Sequence, residues 1–290
     1  MSVLMQLFRD LRRSRADLAP PASPLAPGAG AQHYIDLLKR CVNNSIYDDD
    51  LDLMQGAQAI DPASGKVVTI EAAAGDVKRK YYGELWPSRA HTMIGIPRLD
   101  NLQFCVETAL QDGIEGDLIE TGVWRGGAII FMRGILKAYG VTDRMVWVAD
   151  SFEGLPAADR GRYPKETSMD LHMAGDLAVS LEQVQSNFAR YGLLDDQVRF
   201  LKGWFRDTLP AAPIEHLAVM RLDGDLYEST MDALVSLYAK LSPGGFVIID
   251  DFNALQCCND AVADFRSTER ITAQLCLIPG CGAYWRKDAA

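Results

Sequence analysis

Two stretches of this sequence run apolar and then stop abruptly at aspartates. One is Met220-Arg221-Leu222-Asp223-Gly224-Asp225, and the other is Gly244-Gly245-Phe246-Val247-Ile248-Ile249-Asp250-Asp251. Continuous apolar runs of this length are the signature of parallel strands buried on both faces. Ligands of open α/β sheets bind just beyond the carboxyl ends of such strands. If the two strands are neighbours, four carboxylates meet in one small volume. Like charges that close cannot all stay ionised without a counter-charge. A hard divalent cation with oxygen ligands supplies one, so this tip is a candidate Mg²⁺ site. The competing reading is two turns of solvated aspartates.

The region around these runs alternates strand and helix. Residues 117–120 and 145–149 read as strands, the second ending at Asp150, and 198–201 is a short third. The aspartate-tipped runs, 217–222 and 246–249, follow. Between them lie expected helices at 128–139, 177–191 and 230–241, with another around 261–265. Residues 274–278 and 283–285, joined by Gly280-Cys281-Gly282, close the chain as a strand pair. Strands alternating with helices specify a parallel sheet with right-handed crossovers, and a terminal hairpin suits an antiparallel edge. Upstream, Tyr34, Leu37, Leu38 and Cys41 have helical spacing, and Pro97 can open a helix carrying Leu99, Leu102, Phe104, Val106 and Leu110. The signals over 60–80 are weak. Residues 19–30 are rich in Pro, Ala and Gly and read as a semi-extended linker. The expected division is a tail over 1–30, a helical or lid region over 31–115 and a catalytic core over 116–290.

Composition narrows the partners. At 290 residues the chain can bury a sizeable core, and 48% of it is hydrophobic. A formal charge of −10 argues against a nucleic-acid-binding surface. The six cysteines form no CxxC pair and have no histidine at zinc spacing, which fits free thiols in the cytoplasm. The amphipathic start, with Leu4, Leu7, Phe8 and Leu11 beside four arginines, lacks the core of a signal peptide, and no stable membrane insertion is expected.

A second site is written where the first core strand turns into its helix, at Glu120-Thr121-Gly122-Val123-Trp124-Arg125-Gly126-Gly127. Glycines there let the backbone approach a ligand, but their spacing is not the GxGxxG fingerprint. An acid at the strand tip suits a cationic ligand better than a pyrophosphate. S-adenosylmethionine, with its sulfonium and ammonium, is such a ligand. Asp150, thirty residues on, is placed to accept from ribose hydroxyls. The competing reading is an ordinary glycine turn.

Five segments in order, 120–127 (ETGVWRGG), 150–156 (DSFEGLP), 201–210 (LKGWFRDTLP), 221–230 (RLDGDLYEST) and 244–251 (GGFVIIDD), closely resemble the macrocin-type O-methyltransferases. The resemblance runs from about Tyr34 to Trp285. It implies a class I S-adenosylmethionine-dependent methyltransferase fold, Rossmann-like, with a mostly parallel seven-stranded sheet and an antiparallel terminal strand. It implies methyl transfer to a sugar hydroxyl of a glycosylated natural product. It further implies that Asp223, Asp250 and Asp251 hold Mg²⁺ and that Asp225 is the candidate base. Cofactor contacts are implied for Thr92, Met93, Glu120, Thr121, Gly122, Asp150, Ser151, Gly203 and Trp204. A homo-oligomer is the expected assembly.

The chemistry suits these residue types. A sugar hydroxyl is a weak nucleophile until a Lewis acid lowers its pKa and a base within reach takes its proton. His172 is the reserve base, because it lies in a long irregular segment, 154–176, that reads as a lid. The stretch 44–52, with Tyr47 and an acidic run, could close from the other side. Trp204 can stack on adenine or pack in the core, and Trp124 suits packing. A catechol-type methyltransferase shares the metal logic. A binding protein without turnover would have no need of the aspartates.

Overall fold

The structure is a computed structural model, and it describes residues 28–47, 58–60, 67–69 and 77–288. The linker expected over 19–30, the amphipathic start and the acidic run after Tyr47 lie wholly or mostly outside the described residues. Helix α1 (Ala29–Val42) is followed by a small antiparallel pair, β1 (Gln58–Ile60) and β2 (Val67–Thr69). Then come α2 (Val77–Tyr82) and α3 (Gly95–Gln111). The core alternates β3 (Asp117–Thr121), α4 (Gly127–Ala138), β4 (Val146–Asp150), α5 (Leu181–Arg190), β5 (Val198–Lys202), α6 (Phe205–Thr208), β6 (Leu217–Leu222), α7 (Tyr227–Leu237), β7 (Leu241–Ile249) and α8 (Gln256–Thr268). The hairpin β8 (Cys276–Leu277) and β9 (Ala283–Arg286) ends it.

The seven-stranded sheet has the order β5-β4-β3-β6-β7-β9-β8. The strands from β5 to β7 are parallel, and β9 runs antiparallel to both its neighbours. From β3 the chain winds outward through β4 to β5, then crosses back to place β6 on the other side of β3. That reversal opens a crevice between the carboxyl ends of β3 and β6.

Alternating side chains divide the strands between two cores. Leu118, Val146, Val148, Val219, Phe246 and Ile248 face α1, α3, α4 and α5. Ile119, Trp147, Met220, Val247, Ile249 and Trp285 face α7 and α8. Every residue of β6 is buried, as its apolar run requires.

Element ends differ most from the sequence reading at two helices. The helix expected over 177–191 starts at Leu181, because the Ser180 side chain accepts from the Gln183 amide and caps it there. The helix expected over 230–241 starts at Tyr227 and stops at Leu237. Leu241 already pairs with Leu217, and the register then jumps to Val219 opposite Phe246 across Pro243, Gly244 and Gly245. Proline is tolerated in a strand at such an irregularity. Pro97 lies in the first turn of α3, where its missing N–H costs nothing.

Helices α1 and α4 approach closely because α4 carries Gly134, where a Cβ would overlap Leu38 Cδ2. Gly134→Ala should therefore lower stability by about 1–3 kcal/mol through overpacking, read as a urea midpoint shift. An unchanged midpoint would show that α1 yields freely.

Candidate active site

The crevice holds about 1330 Å³ of open space, its solvent-filled mouth included. Its floor is charged. Arg221, within β6, is 1% exposed. Its Nη1 donates to Glu120 Oε1 at the end of β3 and to Asp223 Oδ2, the latter at 3.1 Å, while Nη2 donates to Asp250 Oδ1. Arg98 of α3, also buried, donates through Nη1 to the other Asp250 oxygen. The rest of its guanidinium is fixed by the Ile94 carbonyl at 2.7 Å and the Gly83 carbonyl at 3.1 Å.

Carboxylate oxygens of Asp223, Asp225 and Asp251 lie within 4.8 Å of one another. Asp225 has a left-handed backbone, φ 55°. Its amide donates to Asp251 Oδ2 at 3.0 Å, and its carbonyl accepts from the Cys257 thiol at 3.2 Å. Asp250 differs, since each of its oxygens already takes a guanidinium N–H. A carboxylate offers about four acceptor sites, so capacity remains for a further partner.

Eight carboxylates (Glu120, Asp150, Asp223, Asp225, Glu228, Asp232, Asp250 and Asp251) share the crevice with three guanidiniums, Arg98, Arg206 and Arg221. Fully ionised, the carboxylates would far outnumber the cations. Burial, followed by the Asp223 and Asp250 charges, pushes the Asp225 carboxyl up to about 8. Burial also raises Glu120 to about 7 against the opposing pull of Arg221. Asp223 and Asp251 are raised well above the ordinary range, first by burial and then by neighbouring aspartates. The floor therefore binds protons when no other cation neutralises it.

The β3 side of the crevice is a tight loop packing. Gly122 has φ +78°, and a Cβ there would overlap the Asp223 carbonyl oxygen. The Asp223 amide donates to the Thr121 carbonyl at 2.9 Å, which brings the tips of β3 and β6 together. Asp150 accepts from the Val123 and Phe152 amides, both at 2.7 Å, so it shapes the two loops flanking the crevice. Burial raises its pKa against those hydrogen bonds. Glu120 Oε2 is buried and has no hydrogen-bond partner among the described residues. Such an orphaned acceptor on a cavity wall fits a cationic ligand group.

The structure brings most of the sequence-derived residues to this one crevice. Thr92, Met93, Glu120, Gly122, Asp150, Ser151, Trp204, Asp223, Asp225, Asp250 and Asp251 all line it. Thr121 and Gly203 do not; Thr121 is fully buried, and the Gly203 amide donates to the Asp150 carbonyl at 2.9 Å. His172 is exposed and does not line the crevice, whereas its neighbour Leu171 does. Trp124 lines it too, with its indole N–H donating to the Asp176 carbonyl at 2.8 Å.

Sequence reasoning missed the roles of Arg98 and Arg221. The signal for Arg221 was present, since a lone cation inside an apolar strand must have buried anionic partners. Nothing local marks Arg98. Trp86 and Asp232, also on the wall, lie outside the motifs, while Arg206 and Glu228 lie within the 201–210 and 221–230 motifs but were given no role from them.

This sheet order and a charged crevice at its switch point define a class I S-adenosylmethionine-dependent methyltransferase fold. Comparison with known proteins narrows the class. The family described as macrocin O-methyltransferase (TylF) matches residues 31–287. The chain belongs to that family and is an O-methyltransferase. It is 52% identical over 268 residues to mycinamicin III 3''-O-methyltransferase of Micromonospora griseorubida, covering 91% of this chain and 100% of that one. It is 55% identical over 258 residues to the 8-demethyl-8-(2,3-dimethoxy-alpha-L-rhamnosyl)-tetracenomycin-C 4'-O-methyltransferase of Streptomyces olivaceus, covering 89% and 93% of the two chains. The solved structure of the O-methyltransferase NovP superposes with a TM-score of 0.79 at 46% identity, over 89% of this chain and 99% of that one.

The electrostatics give a pH prediction. Glu120 and Asp225 have folded-state values of about 7 and about 8, above the ordinary carboxyl values of the unfolded chain. Their protonated forms favour the fold, so this contribution is full below the unfolded carboxyl range of about 4 and is lost progressively as pH rises from there to 7 and 8, above which it levels off. The melting temperature of metal-free protein should fall over that window, and Asp225→Asn should flatten the fall. A melting temperature that rises there would contradict the assignment.

Proposed function

We propose that this chain transfers a methyl group from S-adenosylmethionine to a sugar hydroxyl of a glycosylated natural product, with Mg²⁺ as the metal. The carrying observation is the crevice charge. The surplus of carboxylates over guanidiniums suits a divalent cation together with a cationic donor, and the oxygens of Asp223, Asp225 and Asp251 converge within 4.8 Å. The rhamnosyl tetracenomycin and mycinamicin named for the relatives support the acceptor class.

When bound, the cation would supply Lewis-acid activation of the hydroxyl and the donor an electrophilic methyl. We assign Mg²⁺ to Asp223, Asp250 and Asp251, and proton acceptance to Asp225. Asp223 and Asp251 have converging oxygens, and Asp250 retains acceptor capacity beyond its two arginines. Asp225 shares that convergence, so its role as base rather than ligand is the sharpest point to test. At neutral pH its raised pKa keeps it largely protonated until positive charge enters, which ties base strength to a filled site. Glu120 would face the donor's ammonium through its free oxygen. Thr92, Met93, Gly122, Ser151 and Trp204 would line the rest of the donor's bed, with Thr121 and Gly203 shaping it from behind.

The core over 116–290 would carry the chemistry, and the region over 31–115 would close it, contributing Thr92, Met93 and Arg98 to the crevice. No described helix is long and apolar enough to cross a membrane, in keeping with a reaction we place in the cytoplasm. A homo-oligomer is expected, which light scattering would test.

Three measurements test this reading. A methyl-transfer screen should give product with mycinamicin III or the rhamnosyl tetracenomycin, and EDTA should abolish it. Turnover only on catechols would move the enzyme to that class, and an EDTA-resistant rate would sink the metal assignment. Asp250→Asn should weaken Mg²⁺ and be partly restored by excess metal. Asp225→Asn should lose about 10²–10⁴-fold in rate without rescue, as removal of a general base does. If metal rescues Asp225→Asn instead, Asp225 is a ligand. Asp150→Ala should weaken S-adenosylmethionine about tenfold or more in calorimetry, through loss of a charged acceptor.

A further inference from the structure

The covering segment 154–176 is not a free flap. Gly154, Leu155, Pro156 and Leu171 form part of the crevice wall, and the Trp124 indole holds Asp176 at the far end. In its middle the segment turns one buried carboxylate onto the helix that follows the Asp223-Gly224-Asp225 loop. Glu166 is 8% exposed. Its Oε1 accepts from the Tyr227 amide at 3.0 Å and from the Thr167 amide at 2.8 Å, and its Oε2 accepts from the Glu228 amide at 3.0 Å. These are the first amides of α7, whose own N-cap, Leu226, has no side chain able to satisfy them. Surrounding contacts fasten the same place. Lys165 pairs with Asp264 at 2.5 Å, the Tyr227 hydroxyl donates to Asp264 at 2.9 Å, and the Tyr163 and Tyr227 rings lie 5.6 Å apart.

Asp225 stands two residues before Tyr227. Its left-handed backbone is unfavourable for a residue with a side chain and persists only where neighbours fix it. Asp251 fixes its amide and Cys257 its carbonyl. The third support is the start of α7, which Glu166 holds from another part of the chain.

We propose that Glu166 is a positioning residue through which the covering segment sets Asp225: seating its carboxylate on the Tyr227 and Glu228 amides fixes the backbone that presents the base. The proposal rests on the reading of Asp225 as proton acceptor. Glu166 does not line the crevice, so it acts through that backbone and not on the substrates. The segment is thereby more than a water-excluding cover, since its docking completes the catalytic geometry.

The test compares Glu166→Ala and Glu166→Gln with the wild type, using whichever of mycinamicin III and the rhamnosyl tetracenomycin the wild type methylates. Misplacing a reacting group by about 1 Å costs about a hundredfold, so Glu166→Ala should lower kcat by roughly ten- to a hundredfold. Acceptor KM and donor Kd should stay within about twofold, and Glu166→Gln, which keeps one acceptor oxygen, should fall between. In the double variant with Asp225→Asn the rate should match Asp225→Asn alone, because both losses act on one proton transfer. Amide exchange at Tyr227 and Glu228 should quicken in Glu166→Ala while β6 stays protected. Wild-type kcat in Glu166→Ala, or losses that multiply in the double variant, would overturn the proposal. If Glu166→Ala does not fold, Glu166→Gln carries the same comparisons. A wild type that methylates neither acceptor would count against the acceptor reading; amide exchange would still decide the seating, and unchanged exchange at both residues would overturn it.

Discussion

The guanidinium of Arg221 is the interaction on which the rest of the crevice depends. It sits where three elements of the site converge, and it binds Glu120, Asp223 and Asp250 at once. Burial opposes its charge, and the surrounding carboxylates outweigh that cost. Removing one partner of a buried pair typically costs about 3–5 kcal/mol, because the other charge is left uncompensated. Arg221 therefore permits several acids to be buried side by side, and it joins the β3 side of the crevice to the β7 side. Arg98 does the same for Asp250 from α3, tying the region before the core into the site.

Arginine neutralisation is deliberately incomplete in its effect. Three guanidiniums among eight carboxylates on the crevice wall leave Asp225, Asp223 and Asp251 with raised affinities for positive charge. A site balanced by its own residues would have no use for a cation. Here the protein supplies rigid strand ends whose charge its own arginines leave unbalanced. The backbone serves the same end, since Gly122 lets the β3 tip lie against the Asp223 carbonyl where no side chain would fit.

Much of this was legible along the chain. The apolar runs of 217–222 and 246–249 announced buried strands, and their aspartate ends announced a site, because both signals are local. The strand alternation fixed the sheet type, and Gly280-Cys281-Gly282 fixed the terminal hairpin. Boundaries were less legible. The end of α7 was misplaced because Leu241 belongs to a strand through its pairing with Leu217, a contact made across the sheet. His172 was held in reserve because it lay in the covering segment, yet a 3-10 turn directs Leu171 to the crevice and leaves His172 exposed.

The sequence by itself determined the fold class and the strands whose ends meet at the crevice, since periodicity and motif order are properties of neighbouring residues. The tertiary structure alone decided which charges meet. Arg98 and Asp250 are 152 positions apart, and Arg221 and Glu120 are 101 apart. It also decided that Glu166, in a segment without regular spacing, caps the helix beyond Asp225. Electrostatic and hydrogen-bond partners are chosen by distance in space, and only the closed sheet with its docked covering segment sets those distances.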